Sequence, residues 1–167
     1  VDPDRRRYAN PDEAPRHYID IDHYARNGTD PFTEVPHPWK QAVAKYTEDT
    51  LKAYGIVPWH IQIVYARLIN AFQRGDVDRI LYYSSDLGHY VADSHVPLHT
   101  TENYNGQMTN QHGIHAFWES RIPELSADAE YDHLVGRATY VDDIPEVRGT
   151  LHAAPILSPV AHGRLQG

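Results

Sequence analysis

Cysteine is absent from the 167 residues, which excludes disulfide staples, thiolate metal sites and a cysteine nucleophile together and leaves the redox compartment open. Any metal must be held by nitrogen and oxygen. No apolar run approaches the roughly 18 residues that a membrane-spanning helix needs, and no GxSxG elbow supports acyl transfer from a serine. Positive charge is in short supply: 15 Lys and Arg face 23 Asp and Glu, for a formal net charge of −8. Binding to nucleic acid through a basic surface therefore has no bulk electrostatic support, and an anionic substrate would need a local positive site. Sustained period-two alternation is missing apart from the short YIDID run at 18–22, so the chain reads as mainly α. What is plentiful is histidine. The chain has 12 of this side chain, the commonest metal ligand and the one that titrates near neutrality.

The length suits one domain, and 41% hydrophobic with 23% charged residues fits neither a disordered tail nor a fibrous repeat. Pro3, Pro11, Pro15, Pro31, Pro36 and Pro38 make the opening loop-rich. Helical spacing starts at Trp39, with Val43, Tyr46 and Thr50 on one side, and closes at Gly55. A second helix starts at Pro58, carries the stripe Ile61, Val64, Tyr65, Leu68 and Phe72, and stops at Gly75. Asp76 caps a third, from Val77 towards Val96, where Pro97 breaks or kinks it. Between Leu98 and Gly113 lies a polar, turn-rich loop of a length usually reserved for function. A fourth helix follows from Ile114 to about Leu125, and a weaker fifth from Asp128 to Tyr140. From Arg148 the chain has no acidic residue and no clean period, so residues 148–167 read as an irregular tail behind a domain of residues 1–147. With no initiator methionine or signal sequence at Val1, the domain is expected to be incomplete at its N-terminus.

In the third helix His89 and Asp93 stand four apart, one turn apart on the same face, and can converge on one ion. His99 follows just beyond Pro97, where a kink lets its ring turn back. His115 and Glu119 repeat the four-residue spacing in the fourth helix. A single pair of this kind is more often a solvated helical ion pair. Two of them joined by a further histidine are much less ordinary, because burying these groups together costs several kcal/mol per charge unless an ion compensates them. Nitrogen and carboxylate donors suit zinc, with manganese or iron as substitutes. A structural zinc is the competing reading, although the candidate ligands outnumber one ion.

The string GHYVADSHVPLH (Gly88 to His99), followed by ENYNG and GIHAFWE (Gly113 to Glu119), resembles the zinc-dependent phospholipase C and S1/P1 nuclease superfamily. The final ligand is typically Glu in the phospholipase C branch, as at Glu119, and Asp in the nuclease branch. Upstream, VDPDRRRYANPDEAPRHYID is similar to the superfamily's DxxR segment followed by H(Y/F)ID. The resemblance implies a multi-helix bundle and one zinc held by Asp2, His17, His89 and Asp93. It implies a second zinc at His99, His115 and Glu119, with water in the open position. A third zinc of the family shares the aspartate matched by Asp93. Its other ligands, an N-terminal Trp and a nearby His, have no counterpart, since Val1 is not Trp and no His precedes His17.

The implied activity is metal-dependent hydrolysis of a phosphodiester, on a phospholipid headgroup or on single-stranded nucleic acid. Clustered divalent ions would neutralise the phosphate and activate water. By the same analogy Arg5 contacts phosphate and Asp20 orients the attacking water, while Asn105, in the loop between ligands, can touch substrate. Export to the periplasm or beyond the cell is the family's habit, and no protein partner is implied. An inactive, zinc-stabilised helical module is the alternative of a different class. His95 should point away from the ligand face, His23 can support His17, and His37, His60, His112, His133, His152 and His162 need no special role. Phe117, Trp118, Tyr82 and Tyr83 read as core aromatics.

Overall fold

The computed structural model describes residues 3–25 and 28–130, and these are mainly helical with no strand among them. Two compact units divide the chain, Val1–Glu102 and Asn103–Gly167. The expected tail at 148–167 and the expected fifth helix beyond Glu130 lie outside the described residues.

The first unit opens with the short helix α1 (Pro3–Arg6) and short 3-10 segments at Pro11–Arg16 and Ile21–Tyr24. Then come α2 (Pro31–Glu34), α3 (Trp39–Tyr46) and α4 (Glu48–Ala53). The sequence reads α3 and α4 as one helix, but Thr47 divides them. Its φ of 69° takes the backbone out of the helix, its N–H closes α3 on the Val43 carbonyl, and its hydroxyl accepts the Thr50 N–H to start α4. A threonine at positive φ is a strained choice, here retained by hydrogen bonds on both sides.

The long pair α5 (Val57–Arg74) and α6 (Val77–Asp93) packs as a helical hairpin. Gly75, left-handed at φ 65°, ends α5, and the Asp76 carboxylate accepts the Arg79 N–H to begin α6. The expected apolar stripe on α5 is buried at Ile61 and Val64 but runs out into solvent at Phe72. With Leu51, Val57 and Tyr90 fully enclosed, the core sits at the α4–α5 end of the unit. Helix α6 stops at Asp93, three residues earlier than expected, and Pro97 starts a 3-10 turn, Pro97–His99.

The YIDID segment is not a strand: Tyr18, Ile19 and Asp20 have no regular structure, Ile21 and Asp22 open the 3-10 turn, and the backbone bonds to two other stretches of chain. Ile19 and Ile21 donate to the carbonyls of His99 and Thr100, while Asp20 donates to Tyr54 and the Tyr18 carbonyl accepts from Val57. Gly55 makes this close approach possible. It sits at φ 88°, and a Cβ there would fall 2.1 Å from the Tyr18 carbonyl oxygen. His17 and His99 are thereby fixed on neighbouring strips of chain.

His60 on α5 is buried edge-on to Tyr90, with ring centroids 4.7 Å apart. Burial first, and the positive charge of Arg16 second, push its pKa down to about 4. The second unit holds α7 (Ile114–Ala116), a π-helical turn at Phe117–Arg121 and α8 (Ile122–Glu130), one continuous helical run in place of the expected fourth helix. Among the described residues, no helix is long and apolar enough to cross a membrane.

Gly55→Ala should destabilise the chain by about 1–3 kcal/mol in urea denaturation. Gly88→Ala, in mid-α6 with open space at its Cβ position, should raise stability by up to about 1 kcal/mol. Equal effects would contradict the Gly55 clamp. For His60, the folded protein keeps the ring neutral down to about pH 4, whereas the unfolded chain takes up a proton below about 6.5. Stability is therefore intact above that upper value and falls as pH drops towards 4. In the presence of a chelator, His60→Gln should lose about 2 kcal/mol less than the parent between pH 7 and 4.5; parallel pH curves would contradict it.

Candidate metal centre

His17 follows directly on the 3-10 turn, its N–H bonded to the Ala14 carbonyl, and its side chain is 3% exposed. Helix α6 presents His89 and Asp93 from its last turns, as the four-residue spacing predicts. Helix α1 contributes Asp4.

The ring nitrogen Nδ1 of His17 lies 3.1 Å from Nε2 of His89 and 2.9 Å from Oδ2 of Asp93. His89 Nε2 lies 3.2 Å from the same Asp93 oxygen. Bonds of about 2.0–2.1 Å to a tetrahedral ion place neighbouring donors about 3.3 Å apart, so this triangle has the size of one face of a zinc coordination shell. Asp4 faces the two nitrogens with different oxygens, Oδ1 at 3.7 Å from His17 Nδ1 and Oδ2 at 3.7 Å from His89 Nε2. Two imidazoles and two carboxylates make a donor set of net charge −2 when the rings are neutral, which fits a divalent cation. His99 stands beside it, with Nδ1 4.0 Å from the other Asp93 oxygen. Its Nδ1–H donates to the His17 carbonyl at 2.7 Å, which leaves the ring's lone pair on Nε2, the form a ligand requires.

Burial alone would push the Asp93 carboxyl up, but hydrogen bonds with His17 and His89 and the charges of His89 and His99 outweigh it and hold the group well below the carboxylate range. Adjoining the centre is a part-buried polar knot. Arg6 donates to both oxygens of Asp86 at 3.0 and 2.9 Å and to the hydroxyls of Tyr82 and Tyr90 at 2.7 and 2.8 Å. Glu13 receives Arg16 at 2.6 Å, Arg6 at 3.3 Å and the Tyr90 hydroxyl. The knot ties α1, and with it Asp4, to α6.

The remaining expected site residues are placed as follows. Asp2 lies outside the described residues, and the aspartate of that segment at the centre is Asp4. Arg5 is exposed on α1, and the inward-facing arginine is its neighbour Arg6. Asp20 is half-buried with its pKa pushed up to about 7, by burial first and then by the negative charges of Asp22 and Glu102. His23 is committed elsewhere than His17: its Nδ1 lies 3.0 Å from Glu102, and its ring stacks on Tyr54 at 3.3 Å. His95 is exposed and bonded to the Val91 carbonyl, pointing away as expected.

Within the second unit, Nε2 of His115 lies 2.9 Å from Oε2 of Glu119. His115 lies in α7 and Glu119 within the π-helical turn that follows it, an irregularity that occurs often at functional sites. Asn105 closes its own loop, where its side-chain oxygen accepts the Gly113 N–H at 3.1 Å. Phe117, Trp118 and Tyr82 are exposed, not core, and the Tyr82 hydroxyl accepts from Arg6.

Three residues escaped the sequence reading. Asp4 shares a DPD segment with Asp2, and spacing alone favours neither. Arg6 is one of three consecutive arginines of equal appearance. Glu13 precedes His17 by four, the same spacing as the other acid–histidine pairs but in reversed order. Comparison of the chain with models of known protein families, with curated proteins and with solved structures finds no match to any of them.

Proposed function

We propose that this chain is a zinc-dependent hydrolase of phosphodiester bonds, nearer to the phospholipase C branch than to the S1/P1 nuclease branch by its Glu119. The observation that carries the reading is the convergence of His17, His89 and Asp93, with Asp4 beside them, on one small volume. A bound zinc would supply positive charge for the phosphate and lower the pKa of water into the neutral range. His17 and His89 would bind it as neutral imidazoles, Asp93 and Asp4 as carboxylates. The sequence resemblance assigns a second zinc to His99, His115 and Glu119.

Asp20 supplies the proton chemistry in this reading. A carboxyl with a pKa of about 7 is divided between its two forms near neutrality, the condition under which a general acid or base works best. It comes three residues after His17 in a segment clamped on both sides. A zinc-stabilised helical module is the second reading, favoured by one feature: Asp4, His17, His89 and Asp93 are enough protein donors to close a structural site.

Zinc uptake and turnover of a chromogenic phosphodiester by the full chain separate the two. The enzyme reading expects turnover that a chelator abolishes and zinc restores; tight zinc binding without turnover leaves the structural module. His89→Ala should lose both zinc and turnover. Asp20→Asn should retain the zinc of the parent while kcat falls by about 10²- to 10⁴-fold, and an unchanged kcat would remove Asp20 from the mechanism.

A further inference from the structure

The turn nitrogen of His17 raises a question that metal ligation leaves open. With Nδ1 turned towards His89 and Asp93, Nε2 is buried and has no hydrogen-bond partner. A neutral imidazole that offers its Nδ1 lone pair to a cation carries its proton on Nε2. A buried N–H without an acceptor is costly, and metal-bound histidines almost always give their second nitrogen to a carboxylate, carbonyl or water. Oε1 of Glu13 lies 3.7 Å from that nitrogen, just beyond hydrogen-bond reach.

Glu13 is equipped for the part. Its side chain is 1% exposed, and Arg6, Arg16 and the Tyr90 hydroxyl hold its two oxygens. It sits one turn before His17 on the same 3-10 segment, so a shift of well under 1 Å brings the pair into contact. His99 shows the same arrangement completed, its outer nitrogen already bonded to the His17 carbonyl.

We propose that Glu13 is the positioning residue of the metal centre, its Oε1 accepting the His17 Nε2–H when Nδ1 binds a divalent cation. Glu13 thereby fixes the tautomer and orientation of His17, and Arg6, Arg16 and Tyr90 keep the carboxylate in place and charged. The inference rests on the reading of the site as a metal centre.

Zinc affinity of the full chain, measured by competition with a chromophoric chelator at fixed pH, tests it. Glu13→Gln should weaken zinc binding by about 10- to 100-fold. Val64→Ala, which removes buried packing on α5 outside the Arg6 knot and the ligand set, should change it by less than about threefold. Loss of chelated-state stability is expected in both variants and so does not mimic the result. An unchanged affinity in Glu13→Gln, or an equal loss in Val64→Ala, overturns the proposal. Nitrogen NMR of the zinc-loaded parent supplies a check that needs no variant: His17 protonated on Nε2 supports the proposal, and protonation on Nδ1 overturns it. A parent that takes up no zinc overturns the metal reading and the role of Glu13 with it. A parent that binds zinc tightly beside an unaffected Glu13→Gln overturns the role of Glu13 alone.

Discussion

Two imidazole nitrogens 3.1 Å apart, facing the same carboxylate oxygen, cannot both point lone pairs at it. Either a proton or a cation must sit among them, and the surrounding chain is arranged to keep them together. Helix α6 alone places only His89 and Asp93. His17 must arrive from a segment more than 70 positions away in sequence, and that segment is held by backbone hydrogen bonds on both of its edges. The close approach at Gly55 and the turn at Pro97–His99 serve this one juxtaposition.

The polar knot of Arg6, Glu13, Asp86 and Tyr90 has the same orientation. Buried ions cost several kcal/mol each unless geometry and further hydrogen bonds compensate them. Here each carboxylate meets the Arg6 guanidinium, and Glu13 has Arg16 and the Tyr90 hydroxyl as well. Arg6 is held more firmly in its charged form than usual: burial opposes this, but Asp86 and Tyr90 outweigh it. Such a knot adds little net stability compared with an apolar core of the same size. Its value lies in fixing where α1, the Pro11–Arg16 turn and α6 meet, which is where Asp4, His17, His89 and Asp93 are presented.

The parts legible in the sequence are those governed by local periodicity. Asp76 and Gly75 mark helix ends because capping chemistry is local, and His89 with Asp93 shares a face because the helix repeat is fixed. The helical class was readable for the same reason. What the sequence concealed depends on which of several equal neighbours faces inward. Asp2 and Asp4, or Arg5, Arg6 and Arg7, differ only in how α1 is turned, and tertiary contacts decide that. Thr47 breaks a helix whose apolar spacing is unbroken, since a positive φ leaves no trace in periodicity. Asn105 falls in a loop that length and polarity single out in the sequence, yet its amide oxygen is used to cap the loop itself.

X-ray absorption at the zinc edge of the zinc-loaded full chain examines the central claim most directly. A site built on His17, His89, Asp93 and Asp4 predicts a first shell of nitrogen and oxygen at about 2.0–2.1 Å, with the outer-shell scattering of at least two imidazoles, lost in His17→Ala with His89→Ala. An oxygen-only shell without imidazole scattering, or a spectrum unaltered by removing both rings, would contradict it.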